Sequence, residues 1–115
     1  MSTKLEEALY ELGGELEKAG WEPDDGMPEI FEKGENDPKS SRIFRARLFV
    51  RKIQGHLKSA ICLPKGGVNP KIKLAGEMAK LCTAVVDENT TVNISIDPLV
   101  DVLIDLNLEI FCASP

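Results

Sequence analysis

Arg42-Ile43-Phe44-Arg45-Ala46-Arg47-Leu48-Phe49-Val50-Arg51-Lys52 alternates apolar and basic residues almost without a break. Phe44, Ala46, Leu48 and Val50 fall on one side of a period of two, and Arg45, Arg47, Phe49 and Arg51 on the other. Successive side chains of an extended chain point to opposite faces, so the pattern predicts a strand with one buried and one basic face. Gln54-Gly55 then supplies a turn, and His56 to Leu63 returns as a second strand.

Upstream, residues 21–41 are rich in Pro, Gly, Asp and Glu and read as a surface loop with one short strand at Glu29–Lys33. Before it, Leu5, Leu9, Leu12, Leu16 and Ala19 form a single stripe at helical spacing. Thr3 and Glu6 fit a capping box, and Gly20 is a natural stop. Gly13-Gly14 interrupts this helix, at about 1 kcal/mol per glycine relative to alanine, and marks a kink or a close approach of another backbone.

Downstream, Pro64 to Val68 is a loop, and Asn69 with Pro70 opens a second helix along Leu74, Met78, Leu81 and Val85, flanked by Ala75 and Cys82. Thr91 to Ile96 reads as a strand. The last segment carries two patterns. Asp97-Pro98 suits a helix bearing Leu99, Val102, Leu103 and Leu106, whereas Val102, Ile104, Leu106, Leu108, Ile110 and Cys112 alternate in steps of two. The longer alternation favours a strand from about Asp101 to Ala113. The expected fold is therefore α+β, in the order α-β-β-β-α-β-β, an antiparallel sheet with two helices packed on one face. Element order and small acidic size together resemble type III secretion chaperones and related sheet-and-helix adaptors, a likeness that implies dimers holding partner proteins.

With 115 residues, 43% apolar and 29% charged, the chain is expected to form a single domain spanning residues 1–115. No apolar run approaches the roughly 20 residues that cross a bilayer. The start, Met1 to Glu7, lacks the basic and apolar regions of a signal peptide. Cys62, Cys82 and Cys112, odd in number and widely spaced, read as three buried thiols rather than a disulfide framework. A cytoplasmic protein is expected, in the host cytoplasm if it is viral, and the two sequons at Asn89 and Asn93 then carry no meaning.

Charge falls into blocks. Residues 1–37 carry a net −9, residues 38–80 a net +10 with Glu77 the lone acid, and residues 81–115 a net −6 with no Lys or Arg. The basic block predicts a face for an anionic or protein partner: Arg45, Arg47, Phe49, Arg51, Lys52 and Lys58, with Leu103 and Phe111 on the same outward surface. The competing expectation is ordinary pairing of that strand with Asp101, Asp105 and Glu109 on the last one.

Chemistry is sparse. His56 is the single histidine and reads as a solvated side chain beside a turn. The hydrolase, zinc-protease and Walker patterns are absent, so no catalytic, metal or cofactor site is expected. Lys65, Gly66 and Gly67 ahead of a helix with Lys71 are a weak anion-binding arrangement. Asp24-Asp25 lacks the spacing of a calcium loop. These features lead to a non-catalytic protein-binding module, an adaptor, inhibitor or chaperone-like protein and a possible homodimer. The alternative is a nucleic-acid or phosphate-ligand binder using the basic stretch 42–58.

Overall fold

The computed structural model describes residues 3–22 and 38–113. Its regular elements are all helical, with α1 at Lys4–Ala19, α2 at Pro38–Ile61, a 3-10 turn at Pro70–Lys73, α3 at Glu77–Asn89, α4 at Asp97–Asp105 and α5 at Leu108–Ala113. Among the described residues there is no strand, only one antiparallel bridge between Cys62 and Val68. The expected α+β sheet is thus replaced by a helical bundle, and with it falls the resemblance to sheet-and-helix secretion chaperones. The short strand expected at 29–33 and the acids at Asp24-Asp25 lie outside the described residues.

The largest correction is α2. A strand at 42–52, a turn at Gln54-Gly55 and a strand at 56–63 are one continuous helix. The stretch supports two periods, and the helical one reaches further. Ala46, Phe49, Val50, Ile53, Leu57 and Ile61 follow steps of three and four, and all are buried. A strand would have put Phe49, the largest of them, among the arginines in water. As a helix the same residues bury Phe49 completely and satisfy every interior backbone group within the segment. Gly55 sits inside the helix with open space around it, so it costs stability but makes no turn.

The first helix follows the sequence closely. The Thr3 hydroxyl accepts from the Glu6 amide at 3.0 Å, and the Glu6 carboxylate accepts from the Thr3 amide at 3.1 Å. Gly20 ends the helix in the left-handed region at φ 77°. Ala8, Leu9, Leu12 and Leu16 are buried, mainly against α2. Gly13 explains how near the two helices come. A Cβ there would collide with the Arg42 carbonyl, so the backbones meet where a side chain has no room. Trp21 follows the cap and meets Phe49 edge to face, with centroids 5.2 Å apart.

The second half differs from expectation in three places. Asn69 and Pro70 do start a helical segment, with Asn69 accepting from the Lys71 amide at 3.0 Å, but it lasts a single 3-10 turn. Leu74 leaves it in an extended conformation, Gly76 turns with φ 81°, and α3 begins at Glu77. Leu74, expected in the core, is 60% exposed. Residues 91–96 form no strand, although Val92, Ile94 and Ile96 pack against the core. The strand expected at 101–113 is α4 and α5, separated by Asn107 at φ 74°.

Helix α4 is the reading that the alternating series displaced. Pro98 stands in its first turn, and Leu99, Val102 and Leu103 are buried against α1 and α3. The cysteine expectation changes as well. Cys62 and Cys112 form a disulfide, with Cα atoms 5.4 Å apart, that joins the end of α2 to α5. Only Cys82 is a free buried thiol, and burial pushes it up to about 12. Cysteine usage therefore gives no support for a reducing compartment. No helix of the described residues is long and apolar enough to cross a membrane.

Candidate docking surface

The residues expected on one sheet face are divided by the fold between core and surface. Phe49, Leu103 and Phe111 are buried, Phe49 and Leu103 with no exposure at all, so none of the three is presented to a partner. Arg45 points inward, where its guanidinium donates to the Trp21 carbonyl at 2.7 Å and meets Glu22 at 3.3 Å. Lys58 reaches over the Phe111 ring at 5.4 Å. Arg47, Arg51 and Lys52 remain on the exposed surface of α2, with Arg47 and Arg51 one turn apart. His56 is exposed on the same helix.

Among the described residues, the first acidic block partly neutralises the basic block. Arg42 donates to Glu17 at 2.9 Å and to the Tyr10 hydroxyl at 2.8 Å. The Glu17 hydrogen bond and charge raise the Arg42 pKa further above its usual range. These contacts belong to the α1–α2 interface and to Trp21–Glu22 beyond it. The pairing expected between Arg45 and the aspartates of the last segment does not occur, because α4 packs on α1 and α3.

The loop at Lys65, Gly66 and Gly67 is tightly closed. The Leu63 amide donates to the Gly67 carbonyl and the Gly66 amide to the Leu63 carbonyl, each at 2.9 Å, with φ of 98° at Gly66 and 90° at Gly67. The Gly66 amide and the Lys71 amide, which donates to Asn69, are therefore both engaged inside the chain. Lys65 and Gly66 border an open pocket of about 640 Å³ that also contains Lys58, Leu63 and the disulfide. Lys71 lies outside it. Among the described residues no three His, Cys, Asp or Glu side chains come together as a metal would require.

The surface that sequence reasoning missed lies at the junction of the 3-10 turn with α4 and α5. Val68 and Ile72 form one bank of an open groove of about 510 Å³, and Ile104 and Leu108 the other. Lys73 stands on the first bank, and Asp105 and Glu109 on the second. Among the described residues the exposed large apolar side chains are Leu63, Leu74, Ile104 and Ile110, none of them on α1 or α2. The missed signal was the conflict of periods in 99–112. A helix that buries Leu99, Val102 and Leu103 has no inward place for Ile104, which is 55% exposed, and α5 leaves Ile110 outside at 67%. No family model, no curated protein and no solved structure matches the chain.

Proposed function

We propose that the chain is a non-catalytic protein-binding module, an adaptor in class, that works as a homodimer joined at the groove between the 3-10 turn and α4–α5. The observation that carries this reading is Ile104, an isoleucine more than half exposed in a groove with Val68, Ile72 and Leu108. Val68 and Leu108 beside it are partly buried and Ile72 is buried, so Ile104 is the apolar side chain that a partner seated on this concave surface would cover.

Charge at the rim selects the partner. Lys73 lines the groove from the 3-10 turn, and Asp105 and Glu109 line it from α4 and α5. A two-fold axis through it sets the lysine bank of one copy against the acidic bank of the other, so the surface is complementary to itself. The alternative of a nucleic-acid surface has weaker support. Its stacking residue Phe49 is in the core and Arg45 is engaged by Trp21 and Glu22, which leaves Arg47 and Arg51 on exposed surface.

Sedimentation equilibrium across a range of concentrations tests the reading. Wild type should self-associate, and Ile104→Asp should shift the population to monomer, weakening association by about tenfold or more while the helical content is kept. A chain that stays monomeric at the highest concentrations, or an Ile104→Asp variant that dimerises like wild type, overturns it.

A further inference from the structure

Residues 91–96 carry a strand-prone series, Thr-Val-Asn-Ile-Ser-Ile, yet among the described residues they have no strand to pair with. Thr90 leaves α3 in an extended conformation, with φ −141° and ψ 170°. Beyond it, exposed Thr91, Asn93 and Ser95 alternate with half-buried Val92, Ile94 and Ile96, the period of two of an extended chain. Val92, Ile94 and Ile96 pack against the core and anchor the segment to the bundle.

Its main chain is open. Among the described residues no amide of 91–94 donates a hydrogen bond, and no carbonyl of 91–95 accepts one. The Ser95 amide is the exception, donating to the Glu15 carboxylate at 3.2 Å. A row of open amides and carbonyls on an anchored, extended segment is a template on which another strand can pair. Beside Thr91 and Val92 an open cleft of about 430 Å³, bordered also by Trp21, Glu22, Lys52 and Asn89, gives a side chain of that strand somewhere to go.

The charge around the segment selects what pairs with it. Asp87 and Glu88 stand exposed near the end of α3, and Asp97 stands exposed in the first turn of α4. Glu15 adds a further carboxylate beside Ser95, and Lys18 on α1 is already paired with it at 3.9 Å. From residue 81 onward the chain contains no Lys or Arg.

We infer that residues 91–95 are a docking strand for an extended, basic segment of another protein, which adds to it by main-chain hydrogen bonds. Those bonds hold any extended chain, and the acids at either end favour one that carries lysine or arginine. The inference rests on the adaptor reading only in naming the surface that takes the client. The dimer groove lies at the other end of α4, at Ile104 and Asp105, so both surfaces can be occupied together.

The test titrates the whole chain with three capped hexapeptides: one alternating lysine and valine, one alternating glutamate and valine, and the lysine peptide N-methylated throughout. The lysine–valine peptide should bind. The glutamate–valine peptide should bind about tenfold more weakly or worse, and N-methylation should remove binding, because it blocks strand pairing and keeps the charge. Hydrogen exchange should show amides of 91–94 gaining protection in the complex. The double variant Asp87→Lys with Glu88→Lys places bases near a helix C-terminus, where they suit the fold, and should narrow or reverse the preference between the two charged peptides. No binding of the lysine–valine peptide, equal binding of its N-methylated form, or protection that appears only outside 91–94 overturns the inference. The Ile104→Asp variant separates it from the dimer. Peptide binding by a chain that never self-associates refutes the dimer and keeps the docking strand, whereas a dimer that ignores the peptide refutes the docking strand alone.

Discussion

Gly13 and Gly14 are identical in chemistry and adjacent in sequence, yet the fold treats them oppositely. A Cβ on Gly13 would collide with the Arg42 backbone, whereas one on Gly14 meets nothing within 4 Å. Gly13→Ala must push α1 away from α2 and should cost about 2–4 kcal/mol, with a matching fall in the urea midpoint. Gly14→Ala should raise stability by about 0.5–1 kcal/mol through helix propensity alone. The sequence announced a special pair, but only the packing of α2 says which member is special. Cys82 makes a second prediction at this scale. Its folded pKa of about 12 lies above the ordinary 9.0, so the folded state keeps a proton that the unfolded state loses. Its contribution is complete below about pH 9 and is lost as pH rises toward 12, with a slope of about 1.4 kcal/mol per unit in that window. Urea melts of wild type and Cys82→Ala from pH 7 to 11 isolate it. The gap between them should narrow above pH 9, and a constant gap would refute the assignment.

Elements were legible where one period ruled and illegible where two competed. In α1 the leucine stripe, the capping box and the terminal glycine agreed, and the helix formed as read. In α2 the alternation of 44, 46, 48 and 50 was real but local, while the helical series ran on to Ile61. Arginine, lysine, leucine and alanine favour helix in any case. The same conflict recurred in 99–112, and α4 again went to the helical series that fills the core between α1 and α3. The candidate site was hidden by those errors. Residues assigned to a sheet face, such as Phe49 and Leu103, became core, and the apolar residues left over by the helical period became the surface. Gly55 tests the reassignment directly. As a turn residue it would resist substitution, but inside α2 with space around it Gly55→Ala should stabilise the chain by about 0.5–1 kcal/mol, seen as a higher melting temperature.

The whole molecule is organised around α2, which carries the basic block and receives α1 on one side and α3 on another. Acidic α1 meets it through Arg42–Glu17, and Glu22 reaches Arg45, so opposite charge at that seam reinforces apolar packing that already holds the helices together. Exposed pairs of this kind contribute about 0–1 kcal/mol each, which leaves Leu12, Leu16, Phe49 and Ile53 as the main source of stability. The C-terminal end is built differently. Helix α5 is short, it is anchored in the core by Phe111 and Cys112, and one covalent bond ties it to the end of α2. Closing a loop of 50 residues removes unfolded-state entropy worth about 4 kcal/mol at 25 °C. The paired variant Cys62→Ser with Cys112→Ser should therefore lose about 2–4 kcal/mol in urea, yet keep the helical signal of α1 to α4. If that variant matched wild type in stability, the bond would not be closing the loop in solution. If it unfolded outright, the bundle of α1 to α4 would lack the independent core that its buried leucines and Phe49 define.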